Sequence, residues 1–295
     1  MRIDDPAAIR EDNPEDAGDE FDGQILHGGV VLAGIAWDLK RGGPGHDVRN
    51  AAARRSMQEQ IASSAAVWWA PECKTFSRAR GKPVPGATHW PPALRSREHP
   101  YGLPILNQAR RATDREKVDV GNELAKITFM DASAARAAGK IVTIENPTNS
   151  YMWDLAEARA LTAEPGMQKI EFTNCMFRGG QRNKKTTLLT NSVEIVEEFR
   201  NKMCAGRAAC DRTGRPHLTW APAVVEGRIT SYVTDGESEY PTGMCDAVGR
   251  ALARRLADGM ATQTETIMFT EIFAGPRAVL SARVARHLAV ARAAL

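Results

Sequence analysis

The chain has no apolar run of about 18 residues or more, so no membrane-spanning helix is expected. Its N-terminus is acidic and shows no apolar signal region, which argues against secretory targeting. There are only five cysteines, an odd number at irregular spacing, and that is not a disulfide framework. The expected setting is therefore intracellular and reducing, cytoplasm or nucleus. No Cys-x-x-Cys pair is present. Cys204, Cys210 and His217 are separated by five and then six residues, which matches no tight zinc-binding spacing, and no metal is expected. Internal repeats and long low-complexity stretches are absent as well.

What is present is a chain of 295 residues, 43% hydrophobic and 25% charged, enough for one large α/β domain or two small ones. The net charge of +3 hides an asymmetry. Residues 1–22 carry nine acids against Arg2 and Arg10, a balance of −7, so the remainder carries +10. A basic body behind an acidic, proline-containing tail fits a nucleic-acid binder, and an ordinary solvated surface fits the same numbers. The tail, residues 1–23, is expected to be disordered.

The hydrophobic pattern alternates between strand and helix. Residues 30–37 read as a buried strand ending at Asp38, and 40–46 as a Gly-rich loop. Helix is expected over 50–64, strand over 65–70, helix over 107–138, strand over 140–144 and helix over 151–161. Residues 169–173 and 186–190 read as strands flanking a Gly-Gly turn, and helices follow over 194–203 and 244–256. Residues 267–273 read as a strand before a helical C-terminus from 275 onward. Such alternation predicts a mostly parallel α/β sheet. Two segments stand apart. Residues 81–104 hold six prolines and form a long irregular loop, the kind that is usually functional. Residues 204–240 read as irregular and poor in apolar residues, a small insert.

Cys73 carries the chemistry most clearly. The apolar strand 65–70 runs into Pro71-Glu72-Cys73-Lys74-Thr75-Phe76-Ser77, which delivers a thiol to the carboxyl edge of a sheet, where α/β sites lie. Arg78 and Arg80 follow and place positive charge beside the sulfur, which favours thiolate and suits a polyanion. A buried structural cysteine is the alternative. Glu145 ends the next strand, in Glu145-Asn146-Pro147. A thiolate could add to an electron-poor ring, and a carboxyl group could protonate that ring as charge develops on it. Trp68 and Trp69 read as core, with base stacking the less common role.

These segments resemble the DNA cytosine-C5 methyltransferases, and they look especially like divergent viral and protist relatives of that family. Pro71 to Ser77 resembles the nucleophile motif, Pro-Cys followed by Phe-Ser. Glu145-Asn146-Pro147 resembles the Glu-Asn-Val motif, and Gln181-Arg182-Asn183-Lys184-Lys185 resembles the Gln-x-Arg-x-Arg motif. Glu271-Ile272-Phe273-Ala274-Gly275 resembles the Asp-Leu-Phe-x-Gly motif that binds S-adenosylmethionine (SAM). Tyr240-Pro241 and the helix from Met244 resemble the segment before the family's last helix. In the ordinary family the SAM motif comes first, and here it comes last. The chain therefore reads as a circular permutation, with 267–273 expected beside the strand that ends at Asp38. A second, truncated domain beginning near 265 is the rival reading. Two departures are clear: Glu72 stands where the family has Pro, and Pro276-Arg277 lacks the second glycine. A carboxylate beside the sulfur raises the thiol pKa.

The resemblance implies a Rossmann-like SAM-dependent methyltransferase domain over 24–295, with 204–240 as a small target-recognition insert. It implies Cys73 as nucleophile on C6 of a flipped cytosine, Glu145 on ring N3 and Arg182 holding the nucleotide or the nucleophile loop. SAM would lie against Phe273, Ala274, Gly275, Asp38, Asp47 and Pro71. Double-stranded DNA would meet Ser77, Arg78, Arg80, Arg95, Arg97, Lys184 and Lys185, with the 81–104 loop as a lid. A monomer is expected. The other readings are an inactive relative that binds DNA or SAM, and an amino-methyltransferase using Asn146-Pro147, which needs no thiol.

Overall fold

Strands rich in Val, Ile and Trp, each flanked by a helix with an apolar stripe, must bury both faces of a sheet, and they do so here. The computed structural model describes residues 24–27, 30–232, 240–260 and 267–272. Its strands are β1 (Gln24–His27), β2 (Val30–Trp37), β3 (Ala66–Trp69), β4 (Ile141–Pro147), β5 (Gln168–Thr173), β6 (Lys185–Thr190), β7 (Ala223–Val225), β8 (Arg228–Ser231) and β9 (Ile267–Ile272). The helices are α1 (Leu39–Gly42), α2 (Ala51–Ser63), α3 (Ala112–Ala137), α4 (Ala156–Ala163), α5 (Val193–Phe199) and α6 (Thr242–Met260). The acidic segment 1–23 lies outside the described residues.

Seven strands form one mixed sheet in the order β1-β2-β9-β3-β4-β6-β5. The four strands β2, β9, β3 and β4 run parallel, and β6 is antiparallel to both β4 and β5. The C-terminal strand β9 therefore lies in the middle, beside the strand that ends at Asp38, as the sequence leads one to expect. Its register pairs Ile272 with both Trp37 and Trp69, and Trp69 with Ile144, so the four parallel strands end at one common edge. Among the described residues no helix is long and apolar enough to cross a membrane.

Alternate residues of each central strand feed two cores. Val67, Trp69, Val142, Ile144 and Leu189 pack with Met57 and Ile61 of α2 and Ala125, Phe129 and Ala132 of α3. Trp68, Phe172 and Leu188 pack on the opposite face with Phe199 of α5 and Val248 and Leu252 of α6. Both faces are covered, which is why β3 is buried at every position and shows no polar alternation.

Several elements differ from the sequence reading for identifiable reasons. The helix expected from 107 starts at 112, after two 3-10 turns that seat Leu106 in a small core with Leu94 and Val118. The helix expected from 151 opens as a 3-10 turn capped by the Ser150 hydroxyl, and the extended backbone of Leu155 separates it from α4. The helix expected to reach 203 stops at Phe199, and Asn201 then takes a left-handed φ of 62°. The segment 204–240, expected to be irregular, contains the β7–β8 hairpin. That hairpin meets the 81–104 loop, where Thr88 N–H donates to Gly227 O at 2.8 Å.

Candidate active site at the carboxyl edge of the sheet

Cys73 and Glu145 come together because β3 and β4 are neighbours in register. Cys73 lies four residues past Trp69, beyond Pro71, and Glu145 follows Ile144, the partner of Trp69. The turn is tied to the sheet by Asn146, whose Nδ2 donates to Pro71 O at 3.0 Å. Phe76 N–H closes the other side of the turn onto Cys73 O at 3.0 Å. Cys73 is partly exposed, whereas the other four cysteines are buried.

The electrostatics of the pair are set by burial and by one cation. Burial pushes the Cys73 thiol up; Lys184 opposes that shift, while Glu145 and Glu72 add to it. Burial likewise pushes the Glu145 carboxyl up, against Lys184 and the hydrogen bond from Tyr240. Tyr240 donates its hydroxyl to Glu145 Oε2 at 3.3 Å and accepts from Trp68 Nε1 at 3.0 Å. A relay from the buried indole through the phenol thus holds the carboxyl group. Tyr240 as a partner of Glu145 is not legible in the sequence, because it enters from a segment nearly one hundred residues away.

The arginines read as neighbours of the sulfur are used differently. Arg78 pairs with Asp154 at 2.9 Å and lies over the Tyr151 ring, and Arg97 reaches the same carboxylate at 4.0 Å. Arg80 Nε donates to Pro92 O at 3.3 Å, and Ser77 forms a β-bridge with Ser150. The cation acting on Cys73 is Lys184; Lys185 opens β6 and is exposed.

Arg95 requires a correction. Read from the sequence as a phosphate clamp in a lid, it is only 2% exposed. Its guanidinium donates to Thr75 O, Thr75 Oγ1, Pro100 O, Asn122 Oδ1 and Val118 O, and it lies 3.7 Å from the Phe76 ring centroid. Burial brings its pKa down to about 10. Arg95 is the internal brace of the loop that carries Cys73 and is closed to phosphate. Gly121 of α3 makes room for it: a Cβ there would sit 2.6 Å from Thr75 Oγ1 and 3.1 Å from Arg95 Nη2.

The residues read as a cofactor set are only partly gathered. Asp38 follows β2 and Pro71 follows β3, on either side of the end of β9. Asp47 is held by Arg49 at 2.6 Å, which keeps its carboxyl below the usual range. Phe273, Ala274 and Gly275 lie outside the described residues. Asn146 Oδ1, also at this edge, is buried with no hydrogen-bond partner. An orphaned acceptor beside a carboxylate is a set of acceptors that fits a ligand bringing N–H and O–H donors, as a nucleoside does.

Arg182 is engaged by the chain that follows α5. Its Nε donates to Thr219 O at 3.1 Å, and its guanidinium lies 5.7 Å from the Trp220 ring centroid. Beyond it opens a cleft of about 840 Å³, lined in part by Arg178, Gln181, Arg212, Arg215 and His217. The sequence reading did not single out these arginines. Comparison with family models, with curated proteins and with solved structures gives no match.

Proposed function

We propose that the protein is a SAM-dependent methyltransferase acting on cytosine C5 in DNA, built on a circularly permuted Rossmann-like sheet. The observation that carries this reading is the placement of Cys73 and Glu145 just past the paired ends of the parallel strands β3 and β4, where the charge of Lys184 acts on both. In this reading Cys73 Sγ, as thiolate, forms a bond to C6 of the flipped base. Glu145 holds a proton toward N3, and its raised pKa favours the form that can do so. Lys184 stabilises the thiolate before attack. Asp38 and Asn146 would hold the cofactor, which when bound supplies an electrophilic methyl group. Loss of the C5 proton and of the Cys73–C6 bond completes the exchange. The arginine-lined cleft suits a phosphate backbone.

The test is incubation of the full chain with tritiated SAM and mixed DNA, with the labelled base identified after hydrolysis. Label in 5-methylcytosine is expected. DNA containing 5-fluorocytosine should form a gel-stable complex with the wild type and none with Cys73→Ala. The same complex from Cys73→Ala would remove Cys73 from the mechanism. A second reading, an inactive relative that only binds, is favoured by one observation: the thiol is pushed up and Glu72 stands beside it. SAM and DNA binding with no transfer of label would identify it.

A further inference from the structure

Residues 201–232 form a segment with almost no core of its own. The only buried residues in it are Cys204 and Cys210. From 201 to 222 it contains no helix or strand. Apolar burial on that scale does not hold a chain of this length in one conformation, and small units of this kind rely on a disulfide or a metal. None of the five cysteines is in a disulfide. Cys175, in the 3-10 turn that leaves β5, reaches the same point from the sheet.

We propose that Cys175, Cys204, Cys210 and His217 form a structural zinc site that fastens residues 201–221 to the edge of the sheet. One donor atom from each of the four lies within 4.8 Å of all the others. Tetrahedral zinc with Zn–S bonds of about 2.3 Å keeps its donors roughly 3.7 Å apart, so only a small contraction is required. Cys204 Sγ already stands 3.7 Å from His217 Nε2. The other ring nitrogen, Nδ1, is 3.3 Å from Arg207 O. A proton on Nδ1 donated to that carbonyl leaves the Nε2 lone pair facing the sulfurs, the arrangement zinc-binding histidines use.

One backbone amide already points at a sulfur, as a thiolate requires. Asp211 N–H donates to Cys204 Sγ at 3.5 Å. The Asp211 carboxylate accepts from Ala205 and Gly206 N–H, which fixes the turn between the two cysteines. That turn is tight: a Cβ on Gly206 would sit 1.9 Å from Ala209 O. Cys210 N–H donates to Arg215 O at 2.8 Å, so the chain doubles back and returns His217 to the cluster. Three thiols would release three protons on binding, leaving a site of net charge −1. Arg212 lies against it, donating to Cys175 O and Phe177 O. Three soft thiolates and one imidazole favour zinc, and four protein ligands leave no open position, so the site is structural.

This site supports the catalytic edge without depending on its chemistry. Leu218 N–H donates to Gln181 O, Arg182 Nε to Thr219 O, and Cys175 N–H to Arg182 O. Residues 181–184, including Lys184, are thus held against the metal-bound segment. A chain with no transferase activity would still bind zinc, so the two proposals fail separately.

The test is elemental analysis of the full chain, purified under reducing conditions and dialysed against metal-free buffer. About one equivalent of zinc per chain is expected. After metal removal, cobalt(II) alone should restore the visible bands of tetrahedral cobalt and the ultraviolet charge transfer of thiolate ligation. Cys204→Ser and Cys210→Ser should lose the metal, whereas Cys73→Ser and Cys245→Ser should keep it. His217→Ala retains three thiolates and should bind at least about tenfold more weakly. A wild type with no zinc and no cobalt spectrum would overturn the proposal. So would a Cys204–Cys210 disulfide in freshly purified protein, iron in place of zinc, or full metal content in Cys204→Ser.

Discussion

At the edge of β3 and β4, side chains are placed by a ladder of backbone hydrogen bonds between buried strands. Cys73 and Glu145 are neighbours because Trp69 pairs with Ile144. Across residues 201–221 no ladder exists, and the segment buries only its two cysteines. Cys204, Cys210 and His217 are brought to Cys175 by turns, with one bridge between Ala209 and Pro216. The first region draws its order from the whole sheet. The second depends on four side chains at one point. They meet at residues 181–184, which lead into β6 and also receive the second region's hydrogen bonds. The chain therefore sets the Cys73–Glu145 edge on a continuous sheet and borders it with a segment that has almost no core of its own.

The largest effect expected from this contrast comes from removing β9. All six of its residues pair with β2 on one side, and Phe269 to Ile272 pair with β3 on the other. Deleting residues 265–295 breaks both ladders and should exceed the ~5–15 kcal/mol available to a domain. The truncated chain should be insoluble or lack a cooperative unfolding transition. Chelation of the intact chain should instead leave that transition in place while limited proteolysis cuts within 201–232. A truncated chain that folds cooperatively would show that the central strand does not hold the edge together.

A smaller loss is expected from Arg95→Ala. The substitution leaves Thr75 O, Pro100 O, Val118 O and Asn122 Oδ1 without their donor inside a closed space. Orphaned buried groups cost about 1–3 kcal/mol each, with partial relief by water, so about 3 kcal/mol or more is expected in urea unfolding. The Cys73 loop should also become more accessible to alkylating reagents. A cost below about 0.5 kcal/mol, the range of ordinary surface substitutions, would return Arg95 to the role of an exposed phosphate contact.

The sheet edge was legible because it follows from local pattern. Apolar runs ending in Asp38, Pro71 and Glu145 mark strands and their carboxyl ends, and the structure keeps those boundaries to within a residue or three. The placement of 267–272 beside β2 was expected as well, from the order of the motifs in the family that the chain resembles. The cysteine cluster was not legible. Spacing rules recognise ligands that sit close together in sequence, and Cys175 lies 29 residues before Cys204, across strand β6 and helix α5. Arg95 was misread for a related reason: a Pro-rich, Arg-rich loop has the composition of an exposed lid, and nothing local reveals that Gly121 opens a pocket for it. Tyr240 and Lys184 acquire their roles only through contacts across the sheet.

The finest test of the contrast concerns charge at the edge itself. A thiol held above its ordinary pKa is alkylated slowly at neutral pH, and its rate should climb about tenfold per pH unit while thiolate remains the minor form. Cys73 should therefore still be gaining reactivity above pH 9, the ordinary thiol range. Lys184→Ala removes the charge that opposes the shift, so alkylation at a fixed pH should slow by roughly threefold to tenfold. Glu145→Gln removes a charge that adds to the shift, so alkylation should quicken, provided Glu145 is ionised. Burial raises the Glu145 pKa, so at acidic pH the wild-type carboxyl is already neutral and the two proteins should converge. The same substitution affects stability with a definite sign. The folded state holds the Glu145 proton more tightly than the unfolded chain, so wild-type stability should fall as pH rises through the folded pKa. Glu145→Gln should lack that decline in urea unfolding followed across pH. Mass spectrometry assigns the alkylated residue, with Cys73 the one cysteine that is not buried. Rates that move in the same direction in both variants, or in neither, would mean that the thiol, the carboxyl and the lysine do not share one edge in solution.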